Sequence, residues 1–208
     1  MSARLEARSL TCTRGGRVVF HDVALSLNAG EALSLRGPNG SGKSSLLRML
    51  AGLLAPSAGT IRWNGHDIAE DRESHRGRVG YLGMLDALKP TLSVSENVAF
   101  HAALHGGVPA RAEQAVAAVG LAAQAGTPAR RLSQGQRRRA AIARLLVQDS
   151  PLWLLDEPTL ALDQDGLARL GQAMQAHLAG GGIAIIATHV ELPAVTAATL
   201  TLGAGAAP

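Results

Sequence analysis

The sequence predicts an α/β fold in which helices surround a mostly parallel β-sheet. Two continuous apolar runs, in "PLWLLDEP" and "GGIAIIATH", have the length and composition of strands that are buried on both faces. A third run, residues 32–35, leads through a glycine-rich loop into "SSLLRMLAGLL", whose apolar residues have helical spacing and end near Pro56. Strands that alternate with helices along a chain predict a parallel sheet with helical crossovers.

The remaining elements are predicted from their local patterns. Residues 17–36 alternate apolar and polar positions across a turn at Gly30, which predicts an early hairpin that leads into the strand at 32–35. The segment "GTIRWNGHDI" predicts a second, shorter strand pair. From about residue 95 to residue 147 the spacing is helical, with breaks at the pair Gly106 and Gly107 and at Pro128.

Length and composition are those of one globular domain covering residues 1–208, with 47% hydrophobic and 17% charged residues. The single cysteine, Cys12, excludes an internal disulfide and is expected to be a small buried side chain. No apolar run approaches the roughly 18 residues that cross a bilayer, and the first residues lack the apolar core of a secretion signal. We therefore expect the protein in the cytoplasm.

The chain is basic, with a formal charge of +4 and a pI of about 10.2. Only 2% of its residues are aromatic, and single-stranded nucleic acid is usually bound by aromatic side chains interleaved with basic ones. We therefore expect an arginine-rich, solvated surface and no nucleic-acid partner. His101 and His105 have a spacing close to that of metal ligands, but with no third ligand nearby we expect a surface or interface helix.

The segment "GPNGSGKS" has the spacing G-x-x-x-x-G-K-[ST] of a phosphate-binding loop between a strand and a helix. Its glycines let consecutive backbone N–H groups point at one anion, and the following helix adds its positive N-terminal end. The lysine supplies a charge for the β- and γ-phosphates, and the first serine hydroxyl after it can bind Mg²⁺. This predicts a site for ATP and Mg²⁺ that includes Gly37, Pro38, Asn39, Gly40, Ser41, Gly42, Lys43, Ser44 and Ser45.

Two carboxylates follow the apolar run in "LWLLDEP". Because this strand is expected to end beside the phosphate loop, Asp156 can hold the hydration shell of Mg²⁺ together with Ser44. Glu157, one residue later, is the natural general base or water-orienting group for attack on the γ-phosphate. Trp153 in the same strand is expected to be a core residue.

The segment "LSQGQ", residues 132–136, precedes a predicted helix and completes a larger pattern. Together with "GPNGSGKS", "LLDEP", the "LALD" that ends at Asp163 and the "ATH" that ends at His189, it resembles the ATP-binding subunits of ABC transporters over nearly the whole chain. The resemblance implies a P-loop NTPase with a RecA-like core, an antiparallel β-subdomain and a helical subdomain over about residues 86–148. It also assigns Arg139 and Arg144 to the helix after "LSQGQ" rather than to a nucleic-acid surface.

The resemblance further implies that two copies close face to face on ATP. The signature residues of one copy would cap the γ-phosphate that the other copy holds. Asp163 would couple the two sites, and His189 would contact the γ-phosphate and help stabilise its transition state in catalysis. The signature residues are Ser133, Gln134, Gly135 and Gln136.

Two positions depart from the family pattern. The family places an aromatic residue before the glycine of its first hairpin, to stack on adenine, where "CTRGGRVVF" has Arg14, whose flat guanidinium could stack instead. The family also has a glutamine that contacts Mg²⁺ and water and meets the membrane subunit. That glutamine aligns with about Leu85, which can do neither polar task, and Asp86 is the candidate substitute.

These departures are typical of one subfamily. The pattern L-x-C-x-R-G-x-R-x-x-F from Leu10, and the stretch "YLGMLDALKPTLSVSENVAF", resemble the ATP-binding subunit of the bacterial cytochrome c maturation system, the haem exporter. Met84 stands where that subfamily commonly has histidine. The resemblance implies a peripheral ATPase on the cytoplasmic face of the inner membrane. It would bind integral membrane subunits and act indirectly on a haem carrier.

Three alternatives share part of this pattern. The first is the same kind of transport ATPase with another substrate, since the catalytic motifs are common to the family. The second is an ABC ATPase of DNA repair or translation, a class that usually carries coiled-coil or zinc-bearing insertions or tandem ATPase domains, which this sequence lacks. The third is a regulatory subunit that binds ATP without hydrolysing it. The intact loop, carboxylate and signature residues argue against the third, whereas Leu85 and Arg14 leave it open.

Overall fold

The computed structural model describes residues 3–105, 111–192 and 195–203. In these residues nine strands form two sheets, and six α-helices pack around them. In chain order the elements are β1 (Arg4–Arg14), β2 (Arg17–Asn28), β3 (Ala32–Arg36), α1 (Lys43–Leu50), β4 (Ala58–Trp63), β5 (His66–Asp67), α2 (Arg72–Gly77), β6 (Val79–Leu82), α3 (Val94–Leu104), α4 (Ala112–Ala118), α5 (Gln134–Leu146), β7 (Leu152–Asp156), α6 (Gln164–Ala179), β8 (Ile183–Ala187) and β9 (Ala198–Thr201).

The five-stranded sheet confirms the predicted parallel core. Its strand order is β6-β7-β8-β3-β9, and all its neighbouring strands run parallel. Every residue of β7 and β8 is buried, as the continuous apolar runs predicted. Parallel strands of this kind direct all their carboxyl ends to one edge of the sheet, where ligands of α/β proteins bind.

The predicted early hairpin across Gly30 is wrong. β2 pairs with β1 in an antiparallel sheet of order β2-β1-β4-β5, and the turn at Gly30 instead leads from this sheet into β3 of the parallel one. The physical reason lies in the burial of the two strands. β2 buries one side only, whereas four of the five residues of β3 are buried and need cover on both faces. The second predicted pair, β4 with β5, is confirmed.

The helical stretch contains α3, α4 and α5, with two short 3₁₀ turns between α4 and α5. One of these turns begins directly after Pro128, which confirms the predicted break there. The predicted break at Gly106 and Gly107 lies outside the described residues. α1 ends at Leu50, earlier than predicted, because the chain turns back so that Leu53 N–H and Leu54 N–H donate to the Arg48 carbonyl.

Two apolar cores lie on opposite faces of the parallel sheet. β7 contributes Leu152 and Leu154 to one core and Trp153 and Leu155 to the other, as its alternation requires. The first core also contains Trp63 of β4 and Cys12, both buried as expected of a core side chain and a small cysteine. In the second core Trp153 stacks on His177, with ring centroids 4.0 Å apart, so its predicted core position is confirmed.

Throughout the described part of the chain, each helix is too short or too polar to span a lipid bilayer.

Candidate nucleotide site

The carboxyl ends of β3, β7 and β8 meet at one edge of the parallel sheet and carry most of the predicted site. β3 is followed by the phosphate loop, β7 ends at Asp156 and is followed by Glu157, and β8 is followed by Thr188 and His189. The three strands are hydrogen-bonded neighbours, so their ends lie side by side. The parallel pairing of these strands thus brings an anion-binding loop next to two carboxylates and an imidazole.

The phosphate loop is folded around its own lysine. The Lys43 ammonium group donates to the Gly37 carbonyl at 2.7 Å and to the Pro38 carbonyl at 3.1 Å. Gly42 is the N-cap of α1, with a φ of 97° and no side-chain cap on the first turn. A β-carbon at Gly42 would lie 2.7 Å from the Phe20 ring, so glycine is required there for packing as well as for backbone conformation. The first N–H groups of α1 are therefore available to an anion.

A cavity of about 430 Å³ lies in front of this loop. Its walls combine loop residues with the two carboxylates after β7, and they add two side chains that the sequence did not single out for phosphate contact, Val19 and Met84. The lining residues are Val19, Asn39, Gly40, Gly42, Lys43, Ser44, Ser45, Met84, Asp156 and Glu157.

Asp156 has the properties of a ligand for a divalent cation. Its side chain is buried, and its Oδ2 atom has no hydrogen-bond partner among the described residues. A buried carboxylate oxygen normally has a partner, because desolvating it without one is costly. Ser44 lines the same cavity. An oxygen donor set of one carboxylate and one hydroxyl, completed by water and phosphate, suits Mg²⁺.

Glu157 is held in an unusual backbone conformation. Its φ is 48°, in the left-handed region, which is uncommon for a residue other than glycine and persists where surrounding contacts hold it. Its backbone N–H donates to the Ala187 carbonyl at 2.8 Å. Its Oε1 atom lies 3.6 Å from His189 Nε2, so the two predicted catalytic side chains are adjacent.

The signature segment lies at the N-terminus of α5. Ser133 is the N-cap: its Oγ accepts from Gln136 N–H at 3.2 Å, and the Gln136 side chain accepts from Ser133 N–H at 2.9 Å. This arrangement is a complete capping box. Gly135 lies so close to the chain after β7 that a β-carbon there would be 2.6 Å from the Ala161 carbonyl oxygen.

Asp163 lies between this segment and α6. It is the N-cap of α6, where its carboxylate accepts from Gly166 N–H at 2.9 Å, and it also forms an ion pair with Arg139 of α5. The Gly166 hydrogen bond and then the Arg139 guanidinium lower the pKa of the Asp163 carboxyl below its usual value. Asp163 is thus ionised and bonded to the helix that begins with the signature segment.

The residues that depart from the family pattern lie at the edge of the site or outside it. Arg14 is exposed at the tip of the β1–β2 hairpin, and Val19 forms the cavity wall on that side. Leu85 is 85% exposed. The Asp86 carboxylate forms an ion pair with Arg138 Nη1 at 3.2 Å instead of lining the nucleotide cavity.

Next to the nucleotide cavity lies a second depression of about 270 Å³, here named the α5 groove. Arg144 of α5 donates to the Asp86 and Ala87 carbonyls at 2.9 and 2.8 Å and so holds this segment against α5. The same guanidinium contacts His101 Nδ1 at 3.0 Å, and Gln148 contacts His101 Nε2, so the two ring nitrogens have protein partners. The groove is lined by Arg48, Tyr81, Leu82, Gly83, Met84, Leu85, Asp86, Ala87, His101, Ala141, Arg144 and Leu145.

Two features of the site were missed by reasoning from sequence. Thr159 and Thr188 share a hydroxyl–hydroxyl hydrogen bond of 2.7 Å that joins the segments after β7 and β8. Arg138, one of three consecutive arginines, is only 3% exposed and bonds to both the Asp156 and Glu157 carbonyls. A helical-phase argument could have found it, because Arg138 shares the buried face of α5 with Ala141, Ile142 and Leu145.

Comparison with known proteins gives consistent results. The family described as "ABC transporter" matches residues 20–160. The "Cytochrome c biogenesis ATP-binding export protein CcmA" of Paramagnetospirillum magneticum is 53% identical over 190 residues, covering 89% of this chain and 88% of the relative. The protein of the same name from Rhodopseudomonas palustris is 52% identical over 204 residues, covering 97% of this chain and 99% of the relative.

Solved structures share the fold. A putative ABC transporter ATP-binding protein from Pyrococcus furiosus superposes with a TM-score of 0.84 at 26% identity, covering 96% of this chain and 97% of that one. A second solved structure is the dimer of an ATP-binding cassette in a post-hydrolysis state, bound to ADP and Pi. It superposes with a TM-score of 0.81 at 26% identity, covering 96% of this chain and 94% of that one.

Proposed function

This chain belongs to the ABC transporter family as an ATP-binding, ATP-hydrolysing subunit, and we propose that its ATPase activity drives haem handling for cytochrome c biogenesis. The observation that carries the hydrolytic part is the pair formed by Glu157 and His189, 3.6 Å apart at the edge of a cavity that begins at the phosphate loop. A regulatory subunit that only binds ATP would have no need for this pair.

Three side chains in or beside the cavity have a chemical task in ATP hydrolysis under this proposal. Lys43 exchanges its two loop carbonyls for β- and γ-phosphate oxygens as ATP enters. Glu157 orients the attacking water and accepts its proton, and His189 stabilises charge that develops on the γ-phosphate. Phosphoryl transfer depends mainly on positioning and electrostatics, and a glutamate fixed by its backbone meets that need.

Mg²⁺ is the expected cation. The Ser44 hydroxyl and the Asp156 carboxylate would hold it, and the unpartnered Oδ2 atom of Asp156 supports this assignment. Held by these two residues, the cation would supply positive charge against the negative charge that develops on the phosphates.

A second copy of the chain is the proposed partner in the ATP-bound state. The signature residues Ser133 and Gln136 lie at a helix N-terminus, where a phosphate is favoured, but on a segment separate from the lining of the cavity in the same chain. In a face-to-face dimer each signature segment would meet the ATP held by the other copy. The superposable cassette that was solved as a dimer with ADP and Pi supports this arrangement.

Integral membrane subunits are the second class of proposed partner, placed at the α5 groove. The groove is lined by two large apolar side chains that are exposed, Met84 and Leu85. Exposed apolar clusters beside a groove suit an amphipathic helix from a partner protein. With such partners the chain would lie at the cytoplasmic face of the bacterial inner membrane, and a haem carrier would be reached only through them.

The cytochrome c assignment rests on the relatives' shared name and on the subfamily stretches around Arg14 and Leu85. The experiment that tests it is haem staining of c-type cytochromes in cells that lack this gene. We expect the staining to disappear, the wild-type gene to restore it, and Glu157→Gln to leave it absent. Glu113→Gln, an exposed glutamate of α4, is the matched control and should restore the staining like the wild type.

ATPase assays on the same variants as purified proteins test the catalytic role of Glu157 separately from the haem assignment. Glu157→Gln should retain ATP binding and lose Mg²⁺-dependent hydrolysis by roughly 100-fold or more. Equal hydrolysis by Glu157→Gln and Glu113→Gln would refute the role of Glu157. Normal staining in the deletion strain, with hydrolysis intact, would refute the haem assignment and leave a transport ATPase with another substrate.

A further inference from the structure

Arg138 lies at the junction of the α5 groove and the catalytic carboxylates. Its guanidinium uses all three nitrogens: Nε donates to the Pro158 carbonyl at 3.3 Å, and Nη2 donates to the Asp156 and Glu157 carbonyls at 2.8 and 2.7 Å. Nη1 donates to the Gly83 carbonyl at 2.8 Å and to the Asp86 carboxylate at 3.2 Å. Five acceptors match the five N–H groups of a guanidinium.

This side chain is buried, and a buried charge is stable only when it is paired and hydrogen-bonded. Burial lowers the pKa of Arg138, and the neighbouring Asp86 carboxylate opposes that shift. Asp86 is the one charged side chain that bonds directly to the guanidinium among the contacts of the described residues. The position of the guanidinium therefore depends on Asp86 as well as on the four carbonyls.

The two ends of this arrangement have different tasks. At one end Arg138 holds the carbonyl of Glu157, whose φ of 48° requires support from surrounding contacts. At the other end it holds Gly83 and Asp86, which belong to the segment where the family glutamine is absent. A glutamine that reached the nucleotide would link this segment to the cavity directly. Leu85 is 85% exposed and has no polar group for that purpose.

We propose that Arg138, held by Asp86, is a positioning residue that fixes the backbone of Glu157 and links it to the segment in the α5 groove. The link replaces a direct polar contact from that segment to the nucleotide. It deepens the proposed ATPase function and rests on it, because positioning matters only if Glu157 takes part in hydrolysis.

The test is a double-mutant cycle in the full chain with Asp86→Asn and Arg138→Met, followed by steady-state Mg²⁺-ATPase kinetics. Arg138→Met keeps an unbranched side chain about as long as the arginine's aliphatic stem and removes every donor, and we expect kcat to fall roughly 10- to 100-fold. Asp86→Asn should lower kcat about 5-fold, and the double variant should match Arg138→Met because the two residues act through one contact. KM for ATP should stay within about 2-fold, since the phosphate loop is unchanged.

Matched controls separate positioning from general stability. Asp149→Asn removes an ion pair of the same 3.2 Å length between Asp149 and Arg111, exposed and far along the chain from Asp86. Arg76→Met removes an arginine that also bonds a backbone carbonyl, that of Gly52. Both controls should keep the wild-type kcat. Arg138→Lys, which keeps the charge but has fewer donors, should recover part of the kcat lost in Arg138→Met.

Hydrogen–deuterium exchange over residues 153–158 gives a readout that does not depend on turnover. Asp86→Asn should raise exchange there, and Asp149→Asn should not. Additive losses in the cycle, a wild-type kcat for Asp86→Asn, or unchanged exchange would overturn the proposal. If Arg138→Met fails to fold, the Asp86→Asn kinetics and exchange decide alone. If the wild type hydrolyses no ATP, the proposed function fails, while exchange still reports on the link itself.

Discussion

The N-termini of α1 and α5 are both predicted to contact phosphate, but they are prepared for it differently. α1 begins after Gly42 with no side chain on its first N–H groups. α5 begins after Ser133 with a complete capping box, in which Ser133 and Gln136 satisfy each other. The first helix end therefore has no side-chain cap, whereas at the second the N–H groups of Ser133 and Gln136 already have side-chain partners; we call them the open and the closed end.

This difference predicts the order in which the two helix ends contact ATP. The phosphate loop can bind ATP in a single chain, because nothing has to be displaced except the two carbonyl contacts of Lys43. In the proposed dimer, the signature segment would meet an oxygen of the partner's ATP with two of its N–H groups already bonded within its own box. We therefore expect it to contribute only after two ATP-loaded copies meet.

The largest effect is expected at the open helix end. Lys43→Ala should weaken ATP binding by the isolated chain by roughly 10- to 100-fold, because a charged hydrogen bond contributes about 1.5–3 kcal/mol. The measurement is equilibrium titration with a fluorescent ATP analogue. Lys89→Ala, the only other lysine of the chain, is the control and should bind like the wild type. If Ser133→Ala weakened ATP binding by the isolated chain as much as Lys43→Ala, the comparison would fail, since the N-terminus of α5 would then bind ATP without a second copy.

The next effect concerns pairing of two copies. Gly135→Ala places a β-carbon 2.6 Å from the Ala161 carbonyl, which must move the segment before Asp163. We expect ATP-dependent dimerisation in a Glu157→Gln background to weaken about 10-fold, with binding of ATP to the single chain unchanged. Sedimentation with and without ATP measures the dimer. Gly126→Ala, where a β-carbon meets open space, should dimerise normally.

A smaller effect tests the capping box itself. Ser133→Ala should lower the free energy of unfolding by about 1 kcal/mol, measured by urea denaturation. The chain provides its own control in Ser93, which forms the same kind of box at the start of α3, with Glu96 in the place of a glutamine. Ser93→Ala should cost a similar amount of stability, but only Ser133→Ala should also weaken the ATP-dependent dimer. If both variants dimerise equally, Ser133 has no role beyond its helix.

The smallest effect concerns the pH dependence of stability at His101, whose ring contacts Arg144 of α5. Burial, then the nearby Arg144 and His105, lower the pKa of His101 to about 3. The folded protein therefore keeps His101 neutral while the unfolded chain protonates it below about 6.5. Its contribution to stability is complete above that pH and is lost as the pH falls towards 3.

The variant His101→Gln removes this titration. Its free energy of unfolding should fall less steeply than that of the wild type between pH 7 and pH 5, as measured by urea denaturation. His66→Gln, at an exposed position on the short strand β5, is the control for the histidine-to-glutamine substitution itself. A His101→Gln slope equal to the wild type would show that this histidine does not anchor α5.

The parts of the fold that were predicted correctly are those that local sequence determines. β7 and β8 follow from continuous apolar runs, and the loop at Lys43 follows from the conformations that its glycines allow. The pairing of β2 with β1 was missed because a turn at Gly30 gives no information on which strand is the neighbour. Burial on both faces of β3, a property of the whole sheet, decides that pairing.

The candidate site shows the same division. The residue types at Lys43, Asp156 and Glu157 carry their chemistry in the sequence. Arg138 looks like its neighbours Arg137 and Arg139, and its partners Gly83 and Asp86 lie more than fifty positions earlier. Only the helical phase of α5 and the fold of the sheet edge distinguish it. The left-handed backbone of Glu157 has no local signal either, because it depends on contacts from β8 and α5.

The chain has two tryptophans, and each core holds one of them. Their emission can therefore be separated by a single substitution. In Trp63→Phe the remaining emitter would be Trp153, three residues before Asp156 on the strand that leads into the nucleotide cavity. Such a protein would carry its own optical probe on the strand that ends at the catalytic edge, with no label attached, and binding of ATP could be followed by fluorescence without tryptophan emission from the antiparallel sheet.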